Sequence, residues 1–221
     1  KQSIFTLRYG ENPGQNAYLI SKGKKLIKDY QISGKNISYN NIIDIDSGYK
    51  CLSEFKEPTC VIIKHGNPCG VASDRNILMA FKKAFASDPI SAFGGIVLLN
   101  RDVNHELAKI ISRSFFEIIL AKKFQKQSQK LLKVKKNLIL LEIEKLQIPQ
   151  NSTRSTIFGQ LNQNENNDKL NSSFIKLVSR KAASKKSIED IVFALKVVKH
   201  VNSNSIVISK DKQTIGIGGG Q

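Results

Sequence analysis

Four residues that could do chemistry lie within six positions of one another in the segment VIIKHGNPCGVA, residues 61–72. They are Lys64, His65, Asn67 and Cys69, and they follow a short apolar run. A neutral histidine can accept a proton near pH 7, and a nearby ammonium favours that neutral form. The lysine could meanwhile stabilise negative charge that develops during a reaction. A surface histidine beside a solvated lysine would look the same, so the dipeptide alone leaves both interpretations open.

The same segment could also suggest a metal site or a thiol nucleophile. Zinc deaminases combine an H-x-E motif with P-C-x-x-C, and here both the glutamate after His65 and the second cysteine after Cys69 are missing. We therefore expect no zinc and no other metal in this segment. A cysteine nucleophile needs an activating base, and none stands at a recognisable spacing. The three cysteines are an odd number without a CxxC pair, which argues against a disulfide framework.

The charge and the amino-acid usage narrow the class of partner. The chain has 35 basic and 18 acidic residues, a net charge of +17, but 29 of the basic residues are lysines and aromatic residues make up only 7%. Base readout favours arginine and aromatic platforms, so we expect anionic small molecules and no nucleic acid, with a basic nucleic-acid-binding protein as an alternative. No apolar run approaches the roughly 18 residues of a membrane span, and no signal-peptide pattern is visible. These features predict a cytoplasmic protein without a membrane partner.

The chain alternates short apolar runs with amphipathic stretches, which predicts an α/β fold with helices on both faces of a sheet. Strands are expected over Thr59–Ile63 and in the segments SAFGGIVLLN, FEIILA, NLILLEI and SIVISK. Helices are expected over residues 42–55 and roughly 75–87, and in the segments NHELAKIISRSF and KKSIEDIVFALKVVKHV. Asn104 and Ser187 are the predicted caps of the last two helices. Residues 64–70 are predicted to form a loop.

A polar stretch divides the chain. Residues 150–172 are rich in Asn and Gln and lack apolar periodicity, which predicts a linker or long loop. We therefore expect a first lobe over residues 1–149 and the start of a second lobe over residues 173–221. The final segment, TIGIGGGQ, runs from a strand into three glycines, a pattern that usually opens a ligand loop or a helix N-terminus. On this basis we expect the sequence to be a truncated part of a longer chain.

Several segments share one pattern, an apolar strand followed by a loop of Gly, Asn, Pro and one or two charged residues. They are LRYGENPGQ, VIIKHGNPCG, SDPISAFGG, KHVNSNS and IGIGGGQ. Each is weak by itself, because most such clusters are only turns. In an open α/β sheet the loops after strand ends are where ligands bind. Five of them together predict a binding site assembled at the ends of the strands.

Four of these motifs carry a specific resemblance. In order and spacing, LRYGENPGQNA, KHGNPCGVA, DPISAFGGIV and VVKHVNSNSIVISKDKQTIGIGGGQ resemble the transformylase half of the AICAR transformylase/IMP cyclohydrolase family of purine biosynthesis. The resemblance covers nearly the whole chain and is loosest at about residues 120–172. It implies formyl transfer from 10-formyltetrahydrofolate to the 5-amino group of the ribonucleotide AICAR, giving FAICAR. It also implies tandem lobes that resemble cytidine deaminase, each a three-layer α/β/α unit with a mixed sheet, but without the zinc.

The resemblance also implies roles for individual residues. His65 would remove the amine proton, Lys64 would stabilise the oxyanion and the leaving folate, and Asn204 would orient the reacting amide. Arg8 and Tyr9 would contact the nucleotide, with Arg8 at the phosphate. Further substrate-site positions implied by the family are Gly10, Asn41, Asn67, Gly94, Glu117 and Lys136. The family further suggests a homodimer with shared active sites and a bound K+.

Some positions depart from the family's pattern. The family usually has His at the position of Gly14 and Trp at the position of Leu195, and its GGLLVQ stretch reads FGQLNQ at 158–163. The cyclohydrolase half has no counterpart in this sequence. A catalytically incomplete fragment that only folds or dimerises is therefore the alternative to an active transformylase.

Overall fold

A computed structural model describes residues 3–21, 26–166, 168–178 and 180–220. Within these residues the chain forms twelve strands: β1 Ser3–Thr6, β2 Tyr18–Ser21, β3 Gln31–Ser33, β4 Thr59–Lys64, β5 Asn67–Ser73, β6 Ile96–Leu99, β7 Ile118–Ala121, β8 Ile139–Glu142, β9 Asn151–Thr156, β10 Gly159–Asn164, β11 Ser205–Lys210 and β12 Gln213–Gly219. The helices are α1 Tyr39–Ser53, α2 Ile77–Ser87, α3 Pro89–Ala92, α4 His105–Ile111, α5 Lys126–Lys133 and α6 Lys185–Val198. The α/β prediction is confirmed, and so are the predicted strands and helices to within a few residues.

Eight strands form one mixed sheet in the order β11-β12-β5-β4-β6-β7-β8-β3. The pairs β6–β7 and β7–β8 are parallel, and the remaining pairs are antiparallel. Two further pairs, β1–β2 and β9–β10, are separate two-stranded ribbons. The eight-stranded sheet is therefore the main framework of the described residues.

Side chains alternate between the two faces of the sheet, because successive residues of a strand point in opposite directions. In β4, Cys60 and Ile62 enter a core covered by α2, α4 and α5. Val61 and Ile63 enter a second core on the opposite face, which is covered by α1 and α6. The continuous apolar run of β4 follows from this burial on both faces.

Short polar side chains begin the helices. Ser38, Asn76 and Asn104 each accept a hydrogen bond from a backbone N–H in the first turn of α1, α2 and α4. The predicted cap of α6, Ser187, is wrong: Ser184 is the cap, and its hydroxyl accepts the N–H of Ser187 at 3.1 Å. The helix begins at Lys185, because Ser184 supplies the hydroxyl that satisfies the free N–H of Ser187 in the first turn.

Two segments predicted as loops contain strands instead. Residues 67–70, placed in the loop 64–70, are the start of β5, which pairs with β4 around a two-residue turn. Residues 151–164, placed in a linker, form the exposed hairpin β9–β10. Backbone pairing overrode the local pattern in both cases, because Pro and Gly in β5 and polar residues in β9 hide the strand signal.

The segment after residue 173 joins the same sheet as the segment before it. Strand β12 pairs with β5 at Gln213↔Ala72, and α6 packs on the core under β4 through Phe193 and Val197. The division of the chain into lobes at residues 150–172 stays a prediction. Among the described residues, no helix is both long enough and apolar enough to cross a bilayer.

Candidate functional site

One edge of the central sheet gathers most of the residues singled out in the sequence. The register pairs Lys64 with Asn67, Ile63 with Ile96, Ile96 with Ile118, and Ile118 with Ile139. The end of β4, the beginnings of β5 to β8 and the end of β12 therefore lie side by side. The parallel strands contribute their amino ends, whereas ligands in open parallel sheets bind at the carboxyl ends. The expectation that the loops follow strand ends is thus wrong for SDPISAFGG, which precedes β6, and for KHVNSNS, which precedes β11.

His65 and Gly66 form the two-residue turn between β4 and β5. Their φ angles are 54° and 76°, as in the primed turns that match the twist of a hairpin. Histidine is one of the few side chains that tolerate this left-handed region at modest cost. The turn is held from helix α1: Asp44 Oδ1 accepts the N–H of Gly66 at 2.6 Å, and Ser47 Oγ donates to the carbonyl of Gly66 at 2.7 Å. His65 itself is exposed.

Lys64 and His65 line a cleft of about 510 Å³. Its other walls come from the start of β5, the helix α3 region and strand β12, represented by Asn67, Ser91 and Gly219. This volume lies in the range of small-molecule sites. Lys64 Nζ donates to the carbonyl of Phe93 at 2.7 Å, so the ammonium is directed towards the loop that precedes β6.

Asn67 connects this cleft to the loop that precedes β11. Its Oδ1 accepts the N–H of Asn202 at 3.0 Å, and Asn202 in turn accepts the N–H of Gly220 at 3.0 Å through its carbonyl. Asn204 lies two residues beyond Asn202 and is exposed. The structure thus brings Lys64, His65 and Asn67 together, with the Asn204 loop attached to them through a backbone contact.

Arg8, Tyr9 and Gly10 lie in the turn after β1. The Arg8 guanidinium lies 4.6 Å from the centre of the Tyr9 ring and donates through Nη2 to the Tyr9 hydroxyl at 2.9 Å. Arg8 Nε is buried and has no hydrogen-bond partner among the described residues. The backbone of this turn is fixed by Arg8 N–H to Ile37 carbonyl and Gly10 N–H to Gln15 carbonyl. A partly buried cation with an unused donor is suited to an anionic group.

Asn41 and Glu117 make a second polar group beside the first. Asn41 is buried in the first turn of α1 and donates through Nδ2 to Glu117 Oε2 at 3.1 Å. Lys35 Nζ donates to Glu117 Oε1 at 3.2 Å. Burial alone would raise the pKa of Glu117, but the hydrogen bonds from Asn41 and Lys35 and the charges of Lys35 and Arg8 outweigh it and lower the pKa. This carboxylate therefore stays ionised and holds two donors in place.

Gly94 and Lys136 also lie at this edge of the sheet. The N–H of Gly94 donates to the carbonyl of Phe115 at 2.9 Å, two residues before Glu117. Lys136 is exposed and stands three residues before β8. The predicted site residues thus form two groups, one around His65 and one around Glu117, with the Gly94 loop between them.

The structure also bears on the thiol and metal alternatives. Burial raises the pKa of Cys69 to about 12, and its Sγ donates to the Ile62 carbonyl at 3.5 Å. A thiol in this state is a poor nucleophile near neutral pH. Among the described residues, no three His, Cys, Asp or Glu side chains lie close enough together to hold a metal ion.

Three residues at this edge escaped the sequence analysis: Lys35, Asp44 and Ser47. Asp44 and Ser47 belong to the same face of α1 as Asn41, since residues three and four apart on a helix are neighbours. Once Asn41 is singled out, that helical spacing could have identified both. Burial raises the pKa of Asp44, while the Gly66 N–H bond and the charge of His65 act in the opposite direction. Lys35 has no such signal, because it reaches Glu117 across 82 positions of sequence.

Comparison with known proteins identifies the family. The family described as the AICARFT/IMPCHase bienzyme matches over residues 1–221. The bifunctional purine biosynthesis protein PurH of Caldicellulosiruptor saccharolyticus is 45% identical over all of this chain and 44% of the relative. The PurH proteins of Acetivibrio thermocellus and Rhodospirillum rubrum are 42% and 41% identical, over 44% and 42% of their lengths. The chain thus spans less than half of these relatives, and it belongs to the AICARFT/IMPCHase bienzyme family.

Proposed function

We propose that this chain supplies a transformylase site that moves a formyl group from 10-formyltetrahydrofolate to the 5-amino group of AICAR. The observation that carries the proposal is the fixed turn that places Lys64 and His65 in a substrate-sized cleft. Family membership supplies the substrates, since the relatives are named for purine biosynthesis. The chain spans 44% of the first of these relatives, so the activity is proposed for the full-length protein that contains it.

In the proposed reaction the amine nitrogen of AICAR attacks the formyl carbon, and the bond between that carbon and N10 of the folate breaks. His65 takes the proton that the amine loses, and N10 of the folate takes up a proton as it leaves. Lys64 stabilises the oxyanion formed on the formyl oxygen, because a fixed ammonium in a cleft opposes developing negative charge. Asn204 orients the reacting amide.

The second polar group is proposed to hold the nucleotide. Arg8 is assigned to the phosphate, since its guanidinium has an unused buried donor and arginine binds phosphate through paired N–H groups. Tyr9, Gly10, Asn41, Asn67, Gly94, Glu117 and Lys136 complete the proposed substrate positions. In this arrangement Glu117 acts by holding Asn41 and Lys35 in place. It does not contact the phosphate, because the carboxylate and the phosphate are both negatively charged.

Further parts of the proposal rest on the family alone. We propose that the three-layer arrangement is a lobe like that of cytidine deaminase, and that the protein is a cytoplasmic homodimer with shared active sites. A bound K+ belongs to the same proposal, and no described residue is assigned to it. The alternative of a catalytically incomplete fragment applies to residues 1–221 in isolation.

The test is formyl transfer by the full-length protein with AICAR and 10-formyltetrahydrofolate, followed through tetrahydrofolate formation. We expect turnover, and we expect Arg8→Ala to raise the KM for AICAR by about tenfold or more with little change in kcat, because a charge-assisted contact is lost. Arg154→Ala, on the exposed strand β9, is the matched control and should leave both constants unchanged. Absence of turnover in the full-length protein would refute the proposed function.

A further inference from the structure

Helix α1 holds the His65–Gly66 turn by binding both the backbone N–H and the backbone carbonyl of Gly66. Asp44 Oδ1 accepts the Gly66 N–H at 2.6 Å, and Ser47 Oγ donates to the Gly66 carbonyl at 2.7 Å. Both bonds join groups far apart in sequence, with separations of 22 and 19 residues. The orientation of the turn is therefore set by α1 as well as by the hairpin itself.

Close packing fixes the distance between α1 and the strand that leads into the turn. At Gly48, a Cβ atom would lie 2.7 Å from Ile63 Cγ1 and 2.5 Å from Leu98 Cδ1. Real Cβ atoms essentially never come this close, so a larger residue at position 48 would have to displace the buried side chains of Ile63 and Leu98. This close approach keeps Asp44 and Ser47 within hydrogen-bond reach of Gly66.

The two hydrogen bonds restrict the backbone conformation of the His65–Gly66 turn. A non-glycine residue at φ 54° is uncommon, although histidine is one of the side chains found there most often. The Gly66 N–H belongs to the His65–Gly66 peptide, so its bond to Asp44 restricts the ψ angle of His65. The Gly66 carbonyl belongs to the next peptide, so its bond from Ser47 fixes the exit of the turn towards Asn67. The imidazole then leaves the turn in one direction, towards the cleft that His65 lines.

We propose that Asp44 and Ser47 are positioning residues, which bind the N–H and the carbonyl of Gly66 and so hold the turn that presents His65 for proton transfer. The expected change in kcat rests on the proposed function, whereas the expected change in the hydrogen bonding of Gly66 does not. The essential property of Asp44 is its oxygen acceptor. The variant Asp44→Asn keeps an Oδ1 acceptor for the Gly66 N–H, so it should retain most of the function of Asp44.

The experiment measures the full-length protein carrying Asp44→Ala, Asp44→Asn or Ser47→Ala. A misplaced reacting group can cost up to about 100-fold in rate, so we expect Asp44→Ala to lower kcat by about 10- to 100-fold with the KM for AICAR within about threefold of wild type. Asp44→Asn should recover most of kcat, and Ser47→Ala should lose several-fold. Asp46→Asn and Ser53→Ala, both on the outer side of α1, are the matched controls and should behave as wild type.

Amide hydrogen exchange at Gly66 provides a readout that does not depend on activity. Asp44→Ala should accelerate this exchange, whereas Asp44→Asn should keep it slow. The inference is overturned if Asp44→Ala keeps kcat within twofold of wild type, or if Asp44→Asn is as impaired as Asp44→Ala. If the wild-type protein transfers no formyl group, the proposed function fails, and the exchange measurement alone still decides whether α1 holds the turn.

Discussion

Two hairpins of similar length behave differently in this molecule. The hairpin β4–β5 lies in the middle of the sheet, its strand β4 is almost wholly buried, and its turn is bound by α1. The hairpin β9–β10 stands apart from the sheet, and the apolar residues at its tip, Ile157 and Phe158, are 93% and 94% exposed. An isolated two-stranded hairpin is only marginally stable in water. Tertiary contacts to the turn, rather than the hairpin itself, give the first one a fixed geometry.

The comparison also explains which sequence predictions failed. The sequence predicts a loop over residues 64–70 and a linker or long loop over residues 150–172, but both segments contain hairpin strands. In β5 the residues Pro68 and Gly70 mimic a turn signal. Pro68 stands at the register shift of the β4–β5 ladder, where proline is tolerated. Gly70 lies against α2, where a Cβ would come within 2.0 Å of the Ala84 carbonyl oxygen. In β9 only polar residues are present, because neither face is covered.

Other features were predictable because the signal is local. The buried run at β4 and the cap at Asn104 follow from composition and spacing. The chemistry of Lys64 and His65 could be suspected from residue type, but their roles came from the family resemblance. The contacts of Asp44 with Gly66 and of Lys35 with Glu117 depend on how the helix and the sheet pack, so sequence spacing alone did not reveal them.

The same substitution in the two hairpins should have very different effects on stability. Ile62 is 0% exposed and Ile157 is 93% exposed. Truncating a fully buried isoleucine leaves a cavity, so Ile62→Ala should lower the free energy of unfolding by about 2–5 kcal/mol. Ile157→Ala should change it by less than about 0.5 kcal/mol. Urea denaturation of both variants measures the contrast, and equal losses would mean that the exposed hairpin is packed after all.

Two ion pairs near the C-terminal end of α1, at Lys50 and Glu54, provide a second contrast. The first is Glu54, which binds Lys199 Nζ at 2.6 Å and His200 Nε2 at 3.2 Å. The second is Glu165 at the base of the exposed hairpin, which binds Lys50. Lys50 also binds Asp46, so it has a carboxylate partner even without Glu165. Glu54→Gln leaves the nearly buried Lys199 ammonium without a carboxylate and should cost about 3 kcal/mol at pH 7. Glu165→Gln should cost about 1 kcal/mol or less.

The pH dependence of this effect has a definite sign. Burial would raise the pKa of Glu54, but the bonds from His200 and Lys199 outweigh it and lower the pKa below the ordinary value of 4.5. The carboxylate therefore stabilises the fold above pH 4.5, and that stability is lost as the pH falls through the lower folded-state pKa. The difference between wild type and Glu54→Gln should shrink in urea titrations repeated below pH 4. A difference that stays constant from pH 7 to pH 3 would argue against an ionised pair.

The smallest effect on global stability is expected at the tip of the exposed hairpin. Gly159 has a φ of 128°, a conformation that L side chains rarely adopt. Gly159→Ala should therefore open β9–β10 locally, with faster amide exchange over residues 151–164. The free energy of global unfolding should change by less than about 0.5 kcal/mol, since β9–β10 is separate from the main sheet. A large global loss would show that this hairpin belongs to the cooperative core.

The central claim is that the buried hairpin carries the transformylase base, and the formyl-transfer rate of His65→Ala tests it most directly. Full-length wild type, His65→Ala and the matched turn variant Phe158→Ala are compared at saturating AICAR and 10-formyltetrahydrofolate, with circular dichroism as the check on folding. Loss of a general base should lower kcat of His65→Ala by about 100- to 10,000-fold, while Phe158→Ala stays at the wild-type rate. A folded His65→Ala protein that retains a near-normal kcat would contradict the account.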